Sequence, residues 1–146
     1  MKNIREAYQT FWSQFVDNSH TPPRPIPAFA AGTVVFRDAT GKPISSPQFP
    51  YVTFEIVRTP FAESTISSAS IWDSPPLQVQ NIYARIDDVL EQAAKAIPEE
   101  GVAIRTGDSG GIIIYRSTPF IDYMDEPSNT AIARGIIRII IKNYTT

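Results

Sequence analysis

Gly107-Asp108-Ser109-Gly110-Gly111 sets a serine among an acid and three glycines, a segment in which a hydroxyl could act as a nucleophile. Such chemistry needs a base within hydrogen-bond reach of the serine, an acid to orient that base, and backbone donors for the oxyanion. The sequence holds one histidine, His20, and it stands in a proline-rich stretch far from Ser109. The plainer reading is a hairpin turn, in which glycine admits positive φ and Asp108 bonds local backbone. That reading is preferred, and no catalytic residue is assigned.

Carboxylates occur together at Asp87 and Asp88, at Glu99 and Glu100, and at Asp122, Asp125 and Glu126. Adjacent residues on a helix point apart, so Asp87 and Asp88 are poor partners for shared proton chemistry and read as a solvated face. Glu99 and Glu100 read as solubility at a helix exit. The third group interleaves acids with Tyr123 and Met124 but lacks the glycine and alternating ligands of a calcium loop. It reads as a contact loop over about 117–129. Gly41-Lys42 has Phe36 where a phosphate loop needs its first glycine. No metal site and no cofactor is expected.

The 146 residues are 42% hydrophobic and 19% charged, enough for one core that buries roughly 70% of the unfolded chain's surface. Thirteen Lys and Arg against 15 Asp and Glu give a formal charge of −2, without the basic excess of a protein that grips nucleic acid. Cysteine is absent, which removes disulfides, thiolate catalysis and Cys-ligated metals. No run approaches the ~20 apolar residues of a membrane span, and the first residues lack a signal peptide's apolar core. The expectation is a soluble protein made in a reducing cytoplasm, with no membrane partner.

The elements that would position these residues follow from periodicity. Ile4, Ala7, Tyr8, Phe11 and Phe15 recur at three- and four-residue steps and predict a helix over 1–16. Pro22, Pro23, Pro25 and Pro27 make 17–32 an extended arm. The 13 prolines, about twice the usual ~5% share, argue for long semi-rigid loops. Strands are predicted over Thr33–Arg37, Tyr51–Arg58 and Ile66–Trp72; Val52, Phe54 and Ile56 face one way, and Ser67, Ser68 and Ser70 are consistent with an exposed or interface-facing side. A second helix is read from Ser74-Pro75-Pro76 to about Ile97, its apolar side Ile82, Ile86, Val89, Leu90 and Ala93, with Arg85, Asp87, Asp88, Glu91 and Lys95 on the solvent side. Val102–Arg105 and Gly111–Arg116 form a hairpin. In the last run, Ala131–Tyr144, Ile137, Ile139 and Ile141 share one face, while Arg134, Arg138 and Lys142 share the other with Ile136 and Ile140.

These patterns fit one α+β domain over 1–146: a mostly antiparallel β-sheet with two main helices packed on one face, and long proline-rich loops. Trp12 reads as core. A face that mixes isoleucine with arginine is rarely left bare. The candidate interface residues are therefore Trp72, Phe120, Asp122, Tyr123, Met124, Asp125, Glu126, Arg134, Arg138 and Lys142, with the three cations meeting the acidic loop of a neighbour.

Pro50-Tyr51-Val52-Thr53-Phe54-Glu55-Ile56, Ala69-Ser70-Ile71-Trp72-Asp73, the helix ending at Ile97-Pro98, Gly110-Gly111, Pro119-Phe120-Ile121 and Arg134-Gly135-Ile136-Ile137 follow one another in an order that resembles the small tail-terminator or tail-completion proteins of long-tailed bacteriophages. The resemblance spans Phe49–Tyr144. It implies a structural virion subunit in the tail or neck, assembled in the host cytoplasm as a ring, commonly a hexamer. That ring caps the tail tube protein and joins it to the head connector, and DNA is only a passing, non-specifically contacted cargo. It implies no enzyme. The alternative is a small serine hydrolase built on Ser109, whose surrounding string resembles the nucleophile segment of chymotrypsin-like proteases. The chain is too short and too helical for their two-barrel body.

Overall fold

The computed structural model describes residues 2–55, 64–74, 83–105, 111–125 and 132–144. Helix α1 (Lys2–Trp12) carries Tyr8 and Trp12 into the core and delivers Phe15 just beyond its end. Tyr8 meets Trp12 and Phe54 edge-on, at 5.9 and 5.4 Å between ring centres. Both geometries suit the ring quadrupole. Trp12 is fully buried, as its place on the helix predicts.

The proline-rich arm is built into the fold. Strand β1 (Val16–Asp17) pairs with β2 (Arg24–Pro25), Ile26 enters the core, and β3 (Ala28–Ala30) runs parallel to β6 (Tyr51–Phe54) at the edge of the main sheet. Gln9 on α1 holds this edge by donating to the Ala28 carbonyl at 2.8 Å. Of the predicted strand Thr33–Arg37, only β4 (Phe36–Arg37) pairs, with β5 (Pro43–Ile44), in a separate two-stranded ribbon. Its turn is closed by the Asp38 carboxylate, which accepts from the Thr40 and Lys42 amides at 2.9 and 3.0 Å.

The main sheet adds β7 (Ser64–Asp73), β8 (Val102–Arg105), β9 (Gly111–Asp125) and β10 (Ala133–Tyr144), in the order β3-β6-β7-β10-β9-β8. All neighbours are antiparallel except β3 and β6. Val52 and Phe54 are buried, as the alternation predicts, and Tyr51 lies opposite Trp72; residues 56–58 of that prediction lie outside the described residues. Ser67 and Ser70 are buried rather than exposed. They sit in a strand with neighbours on both sides, which short hydroxyl side chains do not reveal in sequence.

Helix α2 (Ala84–Ala96) follows Tyr83, ten residues after the start expected at Ser74; residues 75–82, with Ile82, lie outside the described residues. Its buried side is Ile86, Val89, Leu90 and Ala93. Its end is held by Arg116, which donates to the carbonyls of Ile97 at 2.7 Å and Ala94 at 2.8 Å, a cation placed where orphan carbonyls and the helix dipole favour one. Gly135 lets α2 approach, because a Cβ there would lie 2.6 Å from the Ile86 methyl.

Both helices lie on the same side of the sheet and share one core with Ile71, Ile112, Ile114, Ile137 and Ile139. Because α1 touches β3 and β8, the two edge strands, the sheet curls around it and the helices occupy the concave face. This is the expected α+β layering. No helix among the described residues is long and apolar enough to cross a membrane.

The largest departure concerns 117–129, read from sequence as a loop. Strand β9 runs through to Asp125, with Ile121 opposite Ile137 and Asp125 opposite Ala133. Only Ser117–Phe120 leave the ladder, between the Ile137–Ile121 and Ile139–Arg116 pairs. Pro119 has no N–H to pair, so a bulge is where a strand tolerates it.

Candidate functional site: the open sheet face

Strand alternation puts Gly135, Ile137, Ile139 and Ile141 against the helices and Arg134, Ile136, Arg138, Ile140 and Lys142 on the reverse, convex face. Cross-strand register carries that face outward in rows. The first row runs Tyr51, Trp72, Arg134, Met124 over four strands. Trp72 stacks on Tyr51 with ring centres 6.1 Å apart and planes 12° apart, and the Arg134 guanidinium lies 4.6 Å from its ring centre. The indole N–H donates to Thr53 Oγ1 at 3.0 Å, and Arg134 Nε donates to Ser70 Oγ at 3.0 Å. Phe36 and Phe49 extend the aromatic end of the row, 5.0 and 5.5 Å from Tyr51. At the other end of the sheet Lys142 lies 5.3 Å over Tyr115, and Ile66, 74% exposed, has nothing above it among the described residues.

The sequence candidates therefore separate. Trp72, Asp122, Met124, Arg134, Arg138 and Lys142 share the open face. Phe120 lies in the β9 bulge, under the Arg116 guanidinium at 4.8 Å. Tyr123 goes to the helix side, where its hydroxyl donates to Asp87 at 2.7 Å and its ring meets Tyr83 edge-on at 4.9 Å. That bond raises the Tyr123 phenol to about 12, because ionising it would set two negative charges face to face. The backbone of Asp125 ends β9, while its side chain and Glu126 lie outside the described residues. Of the cations and acids expected to meet across subunits, one pair meets within the chain, Arg138 reaching Asp122 at 3.5 Å. Both side chains are substantially exposed, so the pair contributes little to stability.

Sequence reasoning missed the junction that ties the arm to the sheet. It placed Arg85 on the solvent side of α2. Arg85 instead donates to both oxygens of Asp73, at 2.6 and 2.9 Å, and lies 3.7 Å from Asp17. Burial pushes the fully buried Asp73 carboxyl above its ordinary value while the guanidinium pulls it back. Asp17 accepts from the Ser19 amide and hydroxyl, which outweigh its burial and hold its carboxyl below the usual range. The signal lay in parity: Asp73 follows Ala69 and Ile71 at two-residue steps, so it must point inward and needs a cation from the covering helix.

Asp17 also lies 3.5 Å from His20 Nε2, an acid and an imidazole in contact. Ser109 lies outside the described residues. Its neighbour Gly111 pairs with Tyr144 at one end of β10, while Asp73, joined to Asp17 through Arg85, pairs with Ala133 at the other. Among the described residues no three His, Asp or Glu side chains gather where they could hold a metal. Compared with known protein families the chain matches none, and no curated protein matches it.

Proposed function

We propose that this chain is a structural virion protein of a long-tailed bacteriophage, a tail-terminator or tail-completion subunit. It forms a ring that caps the tail tube and joins it to the head connector. One observation carries the reading: both helices cover one face of the sheet, leaving a convex face of stacked aromatics, isoleucines and cations, a composition suited to contact with other proteins. A ring subunit needs two different surfaces that fit each other across a rotation, and a one-sided sheet supplies distinct sides. Most described residues of the segments that carry the resemblance fall on four adjacent strands, β6, β7, β10 and β9, and the Ile97-Pro98 segment follows α2.

The hydrolase alternative is disfavoured by distance. Ala133 and Tyr144 stand eleven positions apart on β10, about 35 Å of strand, whereas the two steps from Gly111 to Ser109 span at most about 7 Å. His20 belongs with the Ala133 end. Light scattering and electron microscopy of the purified chain, with and without tail tubes, test the proposal. Closed rings and capped tube ends are expected. Single subunits that leave tube ends bare, or serine-probe labelling that disappears in Ser109→Ala, would overturn it.

A further inference from the structure

Five of the six large hydrophobic side chains exposed among the described residues fall into two patches, one at the β4–β5 ribbon and one near the end of β9. Val34, Val35 and Ile44 lie in or beside the β4–β5 ribbon, which stands apart from the main sheet. Tyr123 and Met124 lie near the end of β9, where Tyr123 and Ile121 face Leu90 and Ala94 across a groove of about 530 Å³ between β9 and α2. The patches differ in charge. The ribbon carries Arg37 and Lys42, and its one acid, Asp38, has its carboxylate occupied by the turn's own donors. The groove is lined by Asp87, Asp88 and Glu91 with no cation among its walls.

Ribbon and groove belong to opposite sides. Phe36 anchors the ribbon on Tyr51 of β6, on the convex face, whereas the groove opens beside β9 on the helix side. Between β6 and β9 stand β7 and β10, three strand spacings or about 14 Å, so the ribbon does not fill the groove of its own chain. The strand bordering the groove is also an edge. β8 pairs with β9 only from Gly111 to Ile114, so from Arg116 to Asp125 β9 has a strand partner on one side only among the described residues. An unpaired strand edge accepts an added strand.

Resting on the ring reading above, we propose that the occupant of the α2–β9 groove is the β4–β5 ribbon of a second copy of this chain. The contact is head-to-tail: apolar ribbon side chains meet Leu90, Ala94 and Ile121, and Arg37 and Lys42 meet the acids of α2. A head-to-tail contact of this kind closes into a ring when its rotation permits.

The test is a charge exchange in the full chain, read by sedimentation velocity. Arg37→Glu/Lys42→Glu reverses the ribbon and Asp87→Lys/Glu91→Lys reverses the groove. Wild type is expected to sediment as a closed assembly and each variant alone as a single subunit, with association weakened at least tenfold. An equimolar mixture of the two variants is expected to regain the assembly, since each ribbon then meets a groove of opposite sign. Recovery on mixing also shows that both variants are folded. If both variants assemble like wild type, or both fall apart and mixing restores nothing, the contact is overturned while the ring reading stands. If wild type is a single subunit at every concentration, both fall.

Discussion

Along β10, Gly135, Ile137, Ile139 and Ile141 meet the helices, and the residues between them, Arg134, Ile136, Arg138 and Ile140, look the other way. The concave set joins one continuous core with Trp12, Ile86 and Ile112. The convex set is held by stacking, cation–π contacts and side-chain hydrogen bonds at its rim. Burial of an aliphatic side chain stabilises by about 1.5–3 kcal/mol, while an exposed cation–π pair adds about 0.5–1 kcal/mol. The helix side therefore makes most of the core, while on the convex side Ile136 and Ser70 are buried as well.

The two tryptophans measure that contrast most directly. Trp12→Ala on the concave side should cost about 3–5 kcal/mol, lowering the melting temperature by roughly 10–15 °C for a chain of this size. Trp72→Ala on the convex side, where the ring is only partly buried, should cost less, about 2–3 kcal/mol from lost ring burial together with its stacking and cation–π contacts. Equal losses in thermal melts would erase the distinction between the faces.

Arg85→Met sharpens it with pH. At neutral pH the variant leaves Asp73 buried without its cation, at a cost of about 3 kcal/mol. Deprived of the guanidinium, the Asp73 carboxyl rises further above the unfolded value, so the folded chain takes up a proton at a pH where the unfolded chain is still ionised. The penalty is full above the folded pKa and fades as pH falls toward about 4. Urea unfolding of wild type and variant across that range should show the gap closing; a gap independent of pH would mean that Arg85 acts through packing alone.

Gly135→Val probes the closest approach of the two layers. The new side chain meets Ile86 on α2, and overpacking of this kind costs about 1–3 kcal/mol. A denaturant midpoint unchanged from wild type would show that α2 can shift. The smallest effect is electrostatic: in Asp87→Asn the Tyr123 phenol should fall from about 12 toward the ordinary value near 10. Phenolate absorbance against pH reads this with little change in stability, and a titration that does not move would remove the Tyr123–Asp87 bond from solution.

What the sequence disclosed was whatever a short window contains. The alternation in Tyr51–Phe54, the two-sided character of Ala133–Tyr144 and the stripe of α2 are period-2 and period-3.6 signals, and the apolar side of each was assigned correctly among the described residues. Pro119 with Asp122 and Asp125 has the composition of a loop. The ladder with β10 makes it a strand, and β10 lies outside any window around it. Arg85 and Asp73 failed similarly, since two charges separated by Pro75 and Pro76 say nothing of each other until α2 is laid over β7. Of the open face, the cations and Trp72 were legible, but the stack that joins Trp72, Tyr51 and Arg134 requires three strands in register.

Strand order has a bearing on synthesis. β10 lies between β7 and β9, and among the described residues it is the only strand that joins β3-β6-β7 to β9-β8. Without β10 the strands β3-β6-β7 and β9-β8 would be two separate groups with no ladder between them. The whole sheet, and the faces it presents, require that last strand in the gap. The union of the two halves of the sheet thus lies in topology rather than in any single residue.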